Sequence, residues 1–223
     1  MNNKKQLFGM LAIALAFVFT ACGGGGTGGG AAGCPTTDEG VVIGGIRWAT
    51  RNVDAPGTFA ARPQDAGMFY QWNSRVGWSS SDPMVNTNGD NTWESPTITN
   101  RDRDRDRAWI SENDPCPPGW RVPTRREVVN SHRTGTWTTN WNGTRVSGYV
   151  LGTAPNQIFL PAVGFRTYNT GALMGRGEVG SIWTSSEMTA TRAGNFVFYD
   201  GRFNQRDIQK SSGLSVRCVQ DVE

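Results

Sequence analysis

The 223-residue chain has one histidine, His132, and three lysines against nineteen arginines. One imidazole supplies neither a His-rich metal centre nor the partners that Ser/His/Asp catalysis requires. His132 is therefore read as a solitary surface side chain. Charge is also scarce: 18% of residues are charged and the formal net charge is +3. That balance gives no reason to expect nucleic acid as a partner. No glycine-rich phosphate loop precedes a helix start, and no alternation of strand and helix suggests a nucleotide-binding sheet. The acidic positions Asp102, Asp104 and Asp106 match the first part of a calcium loop, but Arg107 stands where such a loop needs glycine and Asn113 where it needs glutamate. The reading is of a non-enzyme with no catalytic residue, no metal and no cofactor.

Glycine and tryptophan are abundant instead, with 29 and 9 residues. Eight of the glycines fall in Gly23 to Gly33. Such a segment buries too little apolar area to offset backbone entropy, so it is read as a tether with a reach of roughly 17 to 20 Å. Ahead of it, Lys4 and Lys5 precede the apolar run Leu7 to Val18, which is too short to span a membrane comfortably. The run closes on Phe19-Thr20-Ala21-Cys22, which resembles a bacterial lipoprotein lipobox with Phe in place of the usual Leu. The resemblance implies cleavage before Cys22, lipid on its sulfur and amine, and attachment to a bacterial envelope membrane, the outer membrane by expectation. The acidic residues that resemble a surface-export signal are absent after Cys22, and neither face of the membrane is assigned. Three segments follow: residues 1–21 as signal peptide, 22–38 as lipid-anchored tether, and 39–223 as one domain.

With Cys22 lipidated, Cys34, Cys116 and Cys218 remain. Cys34 ends the tether, whereas Cys116 precedes a Pro-Pro-Gly-Trp turn and Cys218 lies in an apolar run, so an oxidising compartment favours Cys116–Cys218. The domain reads as many short strands. Val41 to Trp48 turns at Gly44-Gly45, and Phe196 to Phe203 turns at Asp200-Gly201, both hairpin signals. Ile158 to Leu160 and Ser215 to Val219 are further strands, and Trp141 to Thr144 is a turn. Thr124-Arg125-Arg126-Glu127 after Pro123 is a capping box that opens one short helix. Pro63 to Gln71 is open between helix and strand. Ser79 to Asp114 is polar and turn-rich, and its alternating Arg101 to Arg107 run is read as a solvated segment. The expected class is α+β.

Six blocks carry a family resemblance. Gly119-Trp120-Arg121-Val122-Pro123-Thr124, Leu160 to Arg166, Trp183-Thr184-Ser185-Ser186 and Ser215 to Val219, with the earlier Trp48 to Val53 and Met68 to Asn73, resemble the Fibrobacter succinogenes major paralogous domain. The match runs from about Gly40 to Val219. It implies a secreted or lipid-anchored protein without assigned chemistry. A looser similarity to bacterial C-type-lectin-like domains implies a compact fold with one clear short helix, many short antiparallel strands and long loops. The carboxylates of the lectin calcium site are missing at Ala154-Pro155-Asn156 and Trp183-Thr184-Ser185.

Physically, Trp120 and Trp183 are expected in the core, with the hydroxyls after Trp183 satisfying backbone groups. Arg121, Arg166 and Arg217 are expected as buried donors to loop carbonyls. Trp78, Trp93, Trp109, Trp137 and Trp141 stand in polar, loop-like contexts and are the candidate ligand-binding aromatics. The expected function is a non-catalytic binding or adhesion module for glycan or protein. The alternative is a structural component of an envelope or fimbria-like assembly.

Overall fold

A computed structural model describes residues 35–94, 106, 109–132 and 134–221. The signal, residues 22–34 of the tether with Cys22 and Cys34, and Arg101 to Arg105 lie outside the described residues. The fold class is corrected: 37% of the described residues are strand and 8% helix, so the domain is β-rich rather than α+β, and a C-type-lectin-like architecture is not retained.

Among the described residues, fourteen strands surround one α-helix. They are β1 (Val41–Ile43), β2 (Ile46–Trp48), β3 (Phe69–Tyr70), β4 (Gly77–Trp78), β5 (Gly135–Thr138), β6 (Gly148–Thr153), β7 (Asn156–Pro161), β8 (Phe165–Arg166), β9 (Leu173–Met174), β10 (Gly180–Glu187), β11 (Arg192–Tyr199), β12 (Arg202–Gln209), β13 (Leu214–Ser215) and β14 (Val219–Gln220). Helix α1 (Arg125–Ser131) falls between β4 and β5. The main sheet has the order β12-β11-β10-β13-β3-β4, and smaller sheets are β1-β2-β14, β5-β6-β7 and β8-β9.

Alternation along the long strands divides the interior in two. Ile182, Phe196 and Phe198 point from the main sheet toward Tyr149, Leu151, Ile158 and Val128 of α1. Trp183 and Ala193 point the other way, toward Trp72, Trp109, Leu214 and Val216. The second core contains the Cys116–Cys218 disulfide, which closes a sequence separation of 102 residues. In the chain-entropy account, a loop of that length stabilises the fold by about 4–5 kcal/mol.

The expected hairpins form where the sequence places them. Gly44 and Gly45 both take positive φ, 63° and 82°, between β1 and β2. Asp200 and Gly201 do the same, at 43° and 73°, between β11 and β12. Both fit the type I′ turn whose twist matches the strands. The capping box is complete: the Glu127 amide donates to Thr124 Oγ1 at 3.3 Å and the Thr124 amide to Glu127 Oε2 at 2.7 Å.

Two expectations change. Pro63 to Gln71 contains no helix: Gly67 has φ +64°, and its Cα lies so close to Val53 that a Cβ would meet the carbonyl oxygen at 2.1 Å. The chain turns there and enters β3. Ser215 to Val219 is not one strand but two, because the chain leaves the main sheet after Ser215 and joins β2 at Val219. Between them, Val216 and Cys218 carbonyls accept from the Val53 and Ala49 amides.

Arg217, wholly buried at this crossover, donates to Asn52 Oδ1, to the Ala49 carbonyl at 3.2 Å and to the Phe159 carbonyl at 2.9 Å. Burial pulls its affinity for the proton down, to about 9. Arg121 differs from expectation. It is half-buried and pairs with carboxylates, Glu127 at 2.6 Å and Asp221 at 2.5 Å, rather than with loop carbonyls.

Burial opposes ionisation of Glu127, but the Arg121 and Thr124 hydrogen bonds outweigh it and hold its carboxyl below the ordinary value of 4.5. A carboxyl with a depressed folded-state pKa contributes stability above its unfolded pKa and loses it as pH falls through the folded value. The substitution Glu127→Gln is therefore expected to destabilise the protein by about 1–2 kcal/mol at pH 7, with the difference from the parent shrinking as pH falls below about 4.5. Urea unfolding at pH 7 and pH 3 measures this. A difference that does not depend on pH would contradict it.

Candidate functional site

The five candidate tryptophans do not form one exposed face. Trp78 and Trp109 are buried, at 3% and 6% exposure. Trp93, Trp137 and Trp141 are half-buried. Trp109 packs against Trp72 with ring centroids 5.8 Å apart, and its indole donates to the Asn113 carbonyl. Trp141 stacks on Phe159 at 4.7 Å, and Trp137 leans on the core beside α1. Only Trp78 and Trp93 meet, at 4.8 Å.

Trp93 owes its place to two missing side chains. A Cβ on Gly171 would lie 2.6 Å from its ring, and one on Gly213 would lie 2.9 Å away. Its indole donates to the Tyr168 carbonyl at 3.1 Å. His132 is also not the free surface residue that was expected. Its ring stacks on Phe203 at 5.6 Å, and Nδ1 lies 2.7 Å from the Val129 carbonyl.

Beside the Trp78–Trp93 pair is a polar cleft of about 650 Å³. Gln71, Ser74 and Val76 line one part; Asn86, Asn88, Asp90, Asn91 and Glu94 line another, with Trp78 between them. The loop that carries it builds itself around Asn86. Its Oδ1 accepts from the Asn88 and Asp90 amides, both at 2.9 Å, while Nδ2 donates to Asp90 Oδ2 at 3.2 Å. This is the local side-chain-to-backbone bonding that Asn favours in turns. Gly89, with φ +90°, completes the reversal.

Two buried side chains suspend the loop from the scaffold. Gln71, 3% exposed, donates to the Glu94 carbonyl at 2.8 Å and to the Ser211 carbonyl at 3.1 Å. Arg166, with no exposure, donates to the carbonyls of Ser79, Ser81 and Gly171 at 2.9, 2.8 and 2.7 Å. It reaches Asp82 Oδ1 at 3.3 Å as well. Burial lowers the affinity of Arg166 for its proton, and Asp82 partly restores it. The expectation of a buried arginine binding loop carbonyls holds here and at Arg217.

Once the loop is fixed, the side chains of Asn88, Asn91 and Glu94 make no hydrogen bond to other described residues and stand exposed in the cleft. Among the described residues, the lining contains carboxylates and amides but no Lys or Arg. Arg75, between two lining residues, turns away to the Asp114 carbonyl. Among the described residues, no three His, Cys, Asp or Glu side chains converge as a metal site would require. Chemically, the cleft offers several donors and acceptors beside one aromatic wall. That suits a polyhydroxylated ligand.

Sequence reading missed this set because Asn86-Thr87-Asn88-Gly89-Asp90-Asn91 looks like an ordinary solvated turn. Its usable signal was the density of Asn and Asp around one glycine. The chain matches no protein-family model, no curated protein and no solved structure.

The geometry makes Arg166 the positioning residue for the loop. Replacing it by Lys, a single point donor, is expected to leave at least two of the three carbonyls poorly satisfied and to raise amide hydrogen exchange in 79–94 and 167–172 by roughly tenfold or more. Exchange in β10 and β11 should change little. Unaltered exchange in 79–94 would show that the loop does not depend on Arg166.

Proposed function

We propose that this chain is a non-catalytic, lipid-anchored module of the bacterial envelope that binds a glycan in the cleft between Gln71 and Glu94. The observation that carries the reading is the row of exposed polar side chains, Asn88, Asn91 and Glu94, which have no hydrogen-bond partner among the described residues and are held beside Trp78 on a loop pinned at both ends. Preorganised amides and carboxylates exchange water for sugar hydroxyls without first losing conformational freedom. The Phe19 to Cys22 motif and the glycine tether support attachment through lipid on Cys22 to the outer membrane. The sequence blocks around Trp120, Leu160 and Trp183 support membership of the Fibrobacter succinogenes major paralogous domain family.

A protein ligand is the weaker reading for this cleft. Protein interfaces concentrate affinity in a desolvated apolar centre, and here the apolar lining is Val76 and the buried Trp78. An assembly built by strand addition is also weaker. The longest strand at an edge of the main sheet, β12, exposes Arg202, Arg206 and Asp207, and charges on an edge oppose pairing with another chain.

A glycan array probed with the mature chain carrying Cys22→Ser, so that it is free of lipid, tests the proposal. Saturable binding to neutral oligosaccharides is expected, and the double variant Asn88→Ala, Asn91→Ala should weaken it by roughly tenfold or more. Neither side chain bonds to a described residue, so the variant should unfold like the parent. Binding that survives in the double variant, or no glycan binding at all, would reject the cleft as the site.

A further inference from the structure

A separate hollow of about 220 Å³ opens on the face of β10, β11 and β12 that carries Trp183. Strand register explains its lining. Asn195 lies opposite both Trp183 and Arg206, and Val197 lies opposite Ser181, so these side chains share one face. Phe165, Val197, Ile208 and Leu214 supply apolar walls. Ser181 and Asn195, each 3% exposed, lie deepest, while Arg206 and Asp207 are exposed at the mouth.

The polar groups of this hollow are incompletely used. Asn195 Nδ2 donates to Ser181 Oγ at 2.8 Å, and Ser181 Oγ donates to the Phe196 carbonyl at 3.2 Å. Asn195 Oδ1 has no hydrogen-bond partner among the described residues. At the mouth, Asp207 is held by Arg192, whereas Arg206 makes no ion pair with a described residue. The hollow thus combines apolar walls, one buried acceptor that needs a donor, and a cation at its entrance.

We propose that this hollow binds a single-ring aromatic carboxylic acid carrying one hydrogen-bond donor on the ring. The walls enclose the ring, Asn195 Oδ1 accepts from the donor, and Arg206 meets the carboxylate at the mouth. The size fits one substituted ring, since a cavity of about 150 Å³ lined by apolar side chains holds benzene. A sugar is excluded, because apolar walls would strip its hydroxyls of partners. The site is distinct from the glycan cleft, and neither depends on the other.

Calorimetric titration of the mature Cys22→Ser chain tests this with three probes: 4-hydroxybenzoate, benzoate and phenol. The expected result is one saturable site for 4-hydroxybenzoate, with benzoate and phenol each about tenfold weaker for want of the donor or the carboxylate. Arg206→Gln, at an exposed position, should weaken 4-hydroxybenzoate about tenfold and leave phenol unchanged. Val197→Phe should fill the hollow and abolish binding of all three. Absence of saturable heat with 4-hydroxybenzoate up to about 10 mM would overturn the proposal. So would binding that is the same in both variants and the parent.

Discussion

Trp72 and Trp183 exchange indole hydrogen bonds across the interior, and much of the domain depends on that exchange. Trp72 Nε1 donates to the Thr184 carbonyl at 2.9 Å, and Trp183 Nε1 donates to the Tyr70 carbonyl at 2.7 Å. The two bonds join segments more than a hundred residues apart, without a shared strand ladder between them. Both indoles are completely buried, so each N–H must find an acceptor or lose its hydration without compensation. Trp72 is also held by its main chain, which donates to the Lys210 carbonyl at 2.8 Å, and by Lys210 Nζ, 4.4 Å from the ring centroid. Lys210 in turn pairs with Glu187. The paired indole bonds and Lys210 thus tie β3, β10 and the end of β12 together.

The abundance of tryptophan acquires a physical meaning in this arrangement. Short strands such as β3, β4 and β13 have two residues each and few ladder hydrogen bonds. Large side chains with one polar atom let distant segments bond without a continuous sheet. Trp48 does the same at the other core, donating to Ser131 Oγ of α1 at 3.0 Å. Buried arginines extend the device, since Arg166 and Arg217 each satisfy carbonyls from segments that form no regular pair. The result is a rigid frame on which the loop 79–94 is suspended, and a frame of this kind is what a binding loop requires.

Local chemistry made parts of this fold legible in the sequence. Gly44-Gly45, Asp200-Gly201 and the Thr124–Glu127 box each act within four residues, and their turns and helix start stand as expected. The Cys116–Cys218 pairing was also readable, because Cys116 precedes the Pro-Pro-Gly-Trp turn and Cys218 lies in an apolar run, whereas Cys34 ends the tether. The balance of strand to helix was not, since two-residue strands such as β8 and β9 have no period to detect. The candidate aromatics misdirected the search for a site for a related reason. A polar sequence neighbourhood around Trp78 and Trp109 reflects backbone turns, while glycines far away, Gly171 and Gly213, decide where a ring such as Trp93 can lie. The cleft itself rests on Gln71 and Arg166, whose partners are remote in sequence.

The direct test of the account is a double-mutant cycle on Trp72→Phe and Trp183→Phe, followed by denaturant unfolding. Each single variant keeps an aromatic ring but removes one indole N–H, and a loss of about 2–4 kcal/mol is predicted from the lost bond, the stranded carbonyl and the smaller ring. Because both bonds hold the same two segments, the double variant should lose less than the sum, by about 1 kcal/mol or more. Single losses below about 0.5 kcal/mol, or strict additivity, would contradict the view that this reciprocal pair organises the domain.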